Sequence, residues 1–268
     1  MLLAQALCKT IKLIKILVLN KIERVKKNEW FEDWFNSDYY HLLYQNRSQN
    51  EADLFIKKIV QNLKLDTEAT VLDLGCGKGR HALKMGSFFK TVHGLDLSEN
   101  NIKTANSYKK DNMKFFIGDM RNFNHTTSYD YIFNLFTSFG YFNTIEENLD
   151  VLKCIHRQLK ENGHLLVDFL NPEVIRNNKF NAEEKRINDV YFKIEKDISG
   201  NFIEKKIQIK DGNKQFHFKE KVQLFDINNF EEMFMKTGFT IHSTFGNYAL
   251  ENYHTNSERL ILWAKKLN

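Results

Sequence analysis

The sequence of 268 residues has little cysteine and almost no proline: Cys8, Cys76 and Cys154 are its cysteines, and Pro172 is its single proline. Because the cysteine count is odd and no C-x-x-C pair occurs, neither a disulfide framework nor a cysteine-rich zinc site is expected, and a reducing cytoplasm is the default compartment. Hydrophobic residues make up 42% and charged residues 27% of the chain, which excludes a disordered tail protein, a collagen and a multi-span membrane protein.

A basic excess is absent from the body of the chain. The formal net charge is +5, and residues 1–29 account for all of it with seven bases and two acids. The rest of the chain contains as many acids as bases. A duplex-binding enzyme usually spreads a basic face over its folded domain, so DNA is not an expected partner and RNA is disfavoured.

Long hydrophobic runs are also missing, including from residues 1–29, where lysines interrupt a leucine- and isoleucine-rich segment. The longest uninterrupted run, Ile16 to Leu19, is far shorter than the roughly 20 residues of a membrane span. The order of a signal peptide is absent as well. We predict a basic amphipathic leader helix, which either rests on a membrane surface or a partner or is only loosely held. We favour the second interpretation.

Strand and helix patterns alternate through most of the region 30–268, which we predict to be one domain. Apolar strand patterns occur in TVLDLGCGKG, TVHGLD, MKFFIGD, YDYIFN and GHLLVDF, with helical patterns between them. This alternation predicts an α/β fold with a Rossmann-like, doubly wound sheet of parallel strands. A helix in FEEMFMKT and a β-hairpin in GFTIHSTFGNY and RLILWAKK close the chain. Ligands are expected at the edge where the strands end.

Two segments stand outside this alternation. EWFEDWFNSDYYHLLYQNR, residues 29–47, is both aromatic-rich and polar, which favours a helical lid over the site. The segment at about 171–225 alternates apolar and polar residues and carries turn signals at Gly200-Asn201 and Asp211-Gly212. It predicts an antiparallel β meander inserted after the fifth strand. The meander is either a roof over the substrate or an oligomer interface, and a homodimer stays open.

The first candidate binding motif is VLDLGCGKG, in which Gly75, Gly77 and Gly79 follow a hydrophobic strand and precede a helix. Glycines there let the backbone approach a ligand closely. A dinucleotide fingerprint requires a glycine where Arg80 stands, and Asp73 would repel a pyrophosphate, so an NAD enzyme is a poor fit.

Two further acids follow the second and third strands. Asp96 lies 21 residues after Gly75 and is placed to accept hydrogen bonds from both ribose hydroxyls of a nucleoside. Asp119 is placed to accept one from an exocyclic amine such as that of adenine. Acids at successive strand tips behind a glycine turn predict a nucleoside-binding cleft.

These motifs resemble those of the class I S-adenosyl-L-methionine (SAM)-dependent methyltransferases. The segments that carry the resemblance are VLDLGCGKG, GLDLS, FFIGDMRNF, YDYIFNLFTSFGYF and LKENGHLLVDF. The resemblance implies a seven-stranded sheet whose last hairpin reverses one strand, and SAM as the cofactor.

The resemblance also implies which residues hold the cofactor. The glycine turn (Gly75, Cys76, Gly77 and Gly79) would pass under the methionine moiety, and Asp73 would orient the ammonium group of that moiety. Asp96 would hold the ribose, while Leu97, Asp119 and the Met120 amide would contact the adenine. Leu135 and Phe136 would line the path to the sulfonium. Tyr40 or Arg47 of the lid is expected at the cofactor carboxylate, with packing across the lid as the alternative for the tyrosine.

The tip NLFTSFGYF, the aromatic lid and the β insertion resemble small-molecule methyltransferases, including those that act on amino-sugar or metabolite amines. The N-P-P-Y form of adenine-N6 enzymes and a Pro-Cys nucleophile for cytosine-C5 chemistry are both absent. We therefore expect a cytoplasmic enzyme that methylates N or O of a small molecule. The alternatives are a tRNA or rRNA methyltransferase that grips phosphates with residues 1–29, and a SAM-binding regulatory protein without turnover.

A general base is needed only if the acceptor arrives protonated. His41 and Tyr40 from the lid, Asp168 near the fifth strand tip and His254 beyond the hairpin loop are candidates, and each is more easily explained as structural. No H-x-x-x-H motif or acid pair marks a metal site, so no metal is expected.

Overall fold

The computed structural model describes residues 29–46 and 48–267. The predicted leader helix, apart from Glu29, and the candidate Arg47 lie outside the described residues. The described part begins with two short helices, α1 (Trp30–Phe35) and α2 (Asp38–Leu43). None of the described helices is both long and apolar enough to cross a membrane.

A seven-stranded sheet forms the centre of the fold. Its strands are β1 (Thr70–Leu74), β2 (Thr91–Asp96), β3 (Met113–Ile117), β4 (Tyr129–Asn134), β5 (Leu159–Leu170), β10 (Phe239–Phe245) and β11 (Arg259–Lys266). Their order is β10-β11-β5-β4-β1-β2-β3. The first five strands pair in parallel, whereas β11 pairs antiparallel with both β5 and β10. The predicted Rossmann-like α/β fold with a closing hairpin is confirmed.

Helices cover the two faces of this sheet because alternate strand residues point to opposite sides. The helices are α3 (Gln49–Asn62), α4 (Arg80–Met85), α5 (Glu99–Ser107), α6 (Ile145–Gln158) and α8 (Ile227–Lys236). On β1, Val71 packs in one core with α3, α4 and α5, whereas Leu72 and Leu74 pack in the other with α6 and α8. Two apolar cores therefore fix the sheet, and its strand tips are left for the site.

The insertion after β5 is a separate antiparallel sheet. Its strands β6 (Glu183–Ile187), β7 (Val190–Ser199), β8 (Phe202–Asp211) and β9 (Lys214–Gln223) pair in sequence order. The predicted meander is confirmed, and its two turn signals lie between β7 and β8 and between β8 and β9. A short helix, α7 (Pro172–Arg176), precedes it. This helix was not predicted, although a proline in the first turn after an asparagine cap favours one.

The lid helices pack on one face of the inserted sheet. Trp34 and Leu43 from the lid form a third core with Phe192, Ile194 and Ile207 from β7 and β8. Trp34 is fully buried there. Lid and inserted sheet therefore cover the strand tips together.

Candidate functional site

A cavity of about 770 Å³ lies at the edge where β1 to β5 end. Its walls come from the strand tips, the lid helices and the inserted sheet. The cavity volume lies within the roughly 300–1,000 Å³ that is usual for sites of small molecules and cofactors. Most of the candidate site residues lie in these walls.

The glycine turn after β1 forms the floor at one end. The amides of Gly75 and Cys76 both donate to the Leu95 carbonyl, at 2.8 and 3.0 Å, which holds the turn against β2. Gly77 has a φ of +54°, and a Cβ built on it would meet nothing within 4 Å. Because Gly77 lines the cavity, its backbone is open to a ligand.

Asp96, at the end of β2, is held in place by three donors. The Ser98 amide and the Asn101 side chain donate to Oδ1, and the Gly77 amide donates to Oδ2 at 2.9 Å. Burial raises the pKa of Asp96, and these hydrogen bonds oppose that shift. A carboxylate has about four acceptor positions, so Asp96 keeps capacity for a ligand hydroxyl.

Asn101 is a cavity residue that the sequence analysis missed. It is only 3% exposed, and its Oδ1 is buried without a hydrogen-bond partner among the described residues. A buried polar atom without a partner costs roughly 1–3 kcal/mol. The only sequence signal for a role of Asn101 in the site was its position five residues after Asp96. A place on the buried face of a helix explained that position equally well.

Two of the residues assigned to the cofactor, Asp73 at the end of β1 and Gly79 at the start of α4, do not line the cavity. Asp73 is 1% exposed, and its Oδ2 accepts the Ala82 amide of α4 at 3.1 Å. Burial raises its pKa to about 7. Gly79 faces the Phe115 ring, 3.2 Å from the position a Cβ would take. A direct role of either residue in ligand binding stays a prediction, and both support the turn.

Asp119, at the end of β3, lines the cavity and is ion-paired with Arg121 at 2.6 Å. Arg121 also pairs with Glu29, at the start of the lid, and with Glu147 of α6. Arg121 was not among the predicted site residues. Its ion pairs join the predicted adenine-binding acid to the lid.

The tip of β4 has an unusual backbone. Phe136 and Thr137 have φ values of +56° and +60°, which are uncommon for residues other than glycine. The Phe136 amide donates to Oδ2 of Asp168 at 2.8 Å, and the Thr137 amide donates to the Asp168 carbonyl. Arg259 pairs with Oδ1 of the same carboxylate at 2.7 Å. Asp168 is therefore a buried anchor for this tip.

The lid residues that line the cavity include the candidates Tyr40 and His41, together with Trp30, Phe35 and Asn36. The Ser98 hydroxyl donates to Oδ1 of Asn36 at 2.6 Å, directly beside the β2 tip. The Trp30 indole donates to the Tyr141 carbonyl at 3.3 Å. These contacts join the lid to the ends of two strands.

The inserted sheet contributes four charged side chains that the sequence analysis did not single out: Glu183, Lys196, Lys205 and Glu220, which we call the charged row. The predicted Gly200-Asn201 turn was enough to predict the pairing of two of these residues. That turn places Lys196 opposite Lys205 on β8. Without the structure, however, nothing shows which face of the meander covers the cavity.

The structure brings most of the predicted cofactor residues together. Those that line the cavity are Gly75, Cys76, Gly77, Asp96, Leu97, Asp119, Met120, Leu135, Phe136 and Tyr40. Of the candidate bases, Tyr40 and His41 line it, whereas Asp168 and His254 do not. His254 lies on an exposed loop, and Asp168 is 1% exposed behind the β4 tip.

A family model described as a methyltransferase domain matches residues 65–212 of the chain. A crystal structure of a SAM-dependent methyltransferase from Clostridium acetobutylicum ATCC 824 is similar, with a TM-score of 0.72, 20% identity, and coverage of 86% of this chain and 96% of that one. The structural match shows that the two chains share their fold.

Two other similar proteins carry more specific names. A dTDP-3-amino-3,4,6-trideoxy-alpha-D-glucopyranose N,N-dimethyltransferase from Streptomyces venezuelae is 27% identical over 135 residues, which is 50% of this chain and 56% of that protein. A SAM-bound amino pentose methyltransferase from Micromonospora echinaspora has a TM-score of 0.63 and 20% identity, over 86% of this chain and 97% of that one. At such identity the structural match shows the shared fold.

Proposed function

Because this chain belongs to the SAM-dependent methyltransferases, we propose that it transfers the methyl group of SAM to a nitrogen or oxygen atom of a small-molecule acceptor. The observation that carries the proposal is the cavity, which the lid and the inserted sheet cover from above the strand tips. A covered site of about 770 Å³ suits a cofactor together with a small acceptor. The two similar amino-sugar enzymes support an amine as the methylated group.

The residues present fit a nucleoside cofactor with a methionine moiety. Gly77 offers an open backbone cradle, Asp96 has acceptor capacity for a ribose hydroxyl, and Oδ1 of Asn101 is a buried acceptor without a partner among the described residues. We propose that Gly75 to Gly77 hold the methionine moiety and Asp96 holds the ribose. Asp119 and Met120 would contact the adenine edge.

When bound, SAM supplies an electrophilic methyl group for an in-line displacement. The contribution of the chain is alignment, which converts an encounter of two molecules into a reaction within one complex. Asp168 fixes the β4 tip through the Phe136 amide, so the wall at Leu135 and Phe136 keeps one shape. The lid aromatics Trp30 and Phe35 line the cavity and add apolar surface to it.

A neutral amine acceptor needs no general base before the transfer. Asp168 is poorly suited to the role of general base because its buried carboxylate already accepts hydrogen bonds from the Phe136 amide, the Tyr248 hydroxyl and the Arg259 guanidinium group. Tyr40 and His41 are better placed because both line the cavity. We propose that they orient the acceptor.

The test is to incubate the full chain with methyl-labelled SAM and a cell extract that has been separated into a low-mass metabolite fraction and an RNA fraction. Label in the metabolite fraction is the expected result. Label confined to RNA would favour the nucleic acid alternative, and removal of residues 1–28 would then reduce it in a salt-dependent way. SAM binding without label in either fraction would support a regulatory protein.

A further inference from the structure

The charged row crosses the inserted sheet in the middle of the face that covers the cavity. Lys196 on β7 lies directly opposite Lys205 on β8, and Lys205 lies directly opposite Glu220 on β9. Glu183 on β6 lies diagonal to Lys196 and pairs with it at 2.5 Å. All four residues line the cavity.

Glu220 holds Lys205 in place, and three of its roughly four acceptor positions are occupied, as they are in Asp96. Its Oε1 accepts hydrogen bonds from the Trp34 indole at 2.7 Å and the Tyr44 hydroxyl at 2.6 Å, and its Oε2 pairs with Lys205. Burial alone would raise the pKa of Glu220. The charge of Lys205 and the hydrogen bonds from Lys205, Tyr44 and Trp34 outweigh that effect, so the pKa is lowered and the group stays ionised.

The two lysines at the centre of the row face each other on neighbouring strands. Like charges directly opposite one another destabilise a sheet. Each ammonium group has three N–H donors. Within the described part of the chain, Lys205 donates to Glu220 and Tyr44, and Lys196 donates to Glu183. Donors therefore remain on both lysines, at a cavity surface where two positive charges lie side by side.

The balance of charge differs along the cavity. At the glycine turn, the strand tips and the lid, the lining acids Glu32, Asp96 and Asp119 are equal in number to the bases Lys78, Arg80 and Arg259. Along the inserted sheet and the segment leading into it, Lys179, Lys196 and Lys205 outnumber Glu183 and Glu220. The lysine-rich end therefore suits an anionic group.

We propose that Lys196 and Lys205 bind an oxyanion of the acceptor, a phosphate or a carboxylate, and so hold the acceptor with its methylated atom toward the cofactor. This inference rests on the proposed small-molecule function and specifies the class of acceptor. The acceptor is then an anionic metabolite whose nucleophilic atom and oxyanion lie at opposite ends of one molecule. Glu183 and Glu220 position the lysines through their ion pairs.

The experiment is a calorimetric titration of the full chain, loaded with S-adenosylhomocysteine, with pyrophosphate and separately with malonate. The first probe represents phosphate groups and the second represents carboxylates. We expect at least one probe to bind the wild-type chain with millimolar or tighter affinity. Lys196→Gln should weaken that binding by about tenfold or more because it removes a charged hydrogen bond.

Lys205→Gln alone would leave Glu220 buried without its counter-charge, so the paired variant Lys205→Gln/Glu220→Gln is the better second test. The control is Lys206→Gln, because Lys206 is next to Lys205 on β8 but points to the opposite face. The control should bind the probe as the wild type does, and the paired variant should weaken binding as Lys196→Gln does. The melting temperature of each variant shows that it is folded.

The outcomes separate the two proposals. If S-adenosylhomocysteine binds but neither anion does, the oxyanion site is wrong and the proposed function stands. Equal weakening in Lys196→Gln and Lys206→Gln would also overturn the site, because a general charge effect would explain the binding. If S-adenosylhomocysteine itself does not bind, the proposed function fails first.

Discussion

Oδ2 of Asp96 accepts a hydrogen bond from the Gly77 amide at 2.9 Å, so the acid that ends β2 is tied to the glycine turn that follows β1. The bond joins the predicted ribose-binding group to the predicted methionine-binding backbone. A change at either residue should therefore affect both the ribose-binding and the methionine-binding parts of the predicted cofactor site.

Replacement of this acid should weaken binding of the cofactor product. Asp96→Ala removes an acceptor for the ribose and the bond to Gly77, and we expect the affinity for S-adenosylhomocysteine to fall by about 1–3 kcal/mol, roughly 5- to 150-fold. Titration calorimetry measures the change. Asp111→Ala, an exposed change in the loop before β3, is the control and should leave the affinity as it is. Unchanged affinity in Asp96→Ala would mean that this acid does not hold the ribose.

A methyl group on the glycine turn should obstruct the ligand without unfolding the chain. Gly77 and Gly200 have φ values of +54° and +59°, and a Cβ on either would meet nothing within 4 Å. Gly77→Ala and Gly200→Ala should therefore carry the same backbone strain, about 1–2 kcal/mol, and lower the melting temperature equally. Only Gly77→Ala should weaken S-adenosylhomocysteine binding, because Gly77 lines the cavity. Equal binding by the two variants would contradict this placement of the ligand.

The pair of Asp168 and Arg259 should be important for stability. Asp168 is 1% exposed, and Asp168→Ala would remove the buried counter-charge of Arg259 and the acceptor that holds the Phe136 amide at the β4 tip. We expect the free energy of unfolding in urea to fall by about 3–5 kcal/mol. Asp150→Ala, which breaks an exposed pair with Lys153, should change it by less than about 1 kcal/mol. Similar small losses in both variants would show that the buried pair is not an anchor.

Stability should fall in mild acid because of a buried histidine. His93 is 5% exposed and contacts the Tyr129 hydroxyl at 2.9 Å. Burial, helped by the nearby charges of His125 and Lys114, lowers its pKa from 6.5 to about 4. Between these values the unfolded chain binds more protons than the folded chain. The contribution of His93 is therefore complete above about pH 6.5 and is lost as the pH falls toward 4, by at most about 1.4 kcal/mol per pH unit.

Urea unfolding measured between about pH 4 and pH 6.5 tests the contribution of His93 to stability. His93→Gln should show a shallower loss of stability with acidification than the wild type, and His217→Gln on the exposed side of β9 should follow the wild type. Parallel pH profiles for all three chains would refute the role of His93.

Much of the site could be predicted because parallel strands impose a simple geometry. Asp96 and Asp119 follow buried strands, and the ends of neighbouring parallel strands meet at one edge, so the sequence alone brings these acids together. The glycine turn is equally local, since Gly75 and Gly77 need only the strand before them and the helix after them. Both predictions depend on short-range patterns.

The parts that were missed depend on packing between distant segments. The partners of Asp168 come from the β4 tip and from Arg259, 91 residues away, so its role as an anchor was not visible in the sequence. The charged row was not visible for a related reason. Alternation in the meander separates an apolar face from a polar one, but only the structure shows that the apolar face packs on Trp34 and Leu43 and covers the cavity.

The most direct test of the account is a calorimetric titration of the full wild-type chain with S-adenosylhomocysteine, with NADH as the control ligand. The account predicts micromolar binding of S-adenosylhomocysteine and no binding of NADH, because Arg80 stands where a dinucleotide turn requires glycine. Failure to bind S-adenosylhomocysteine, or binding of NADH in its place, would contradict the assignment of the cavity.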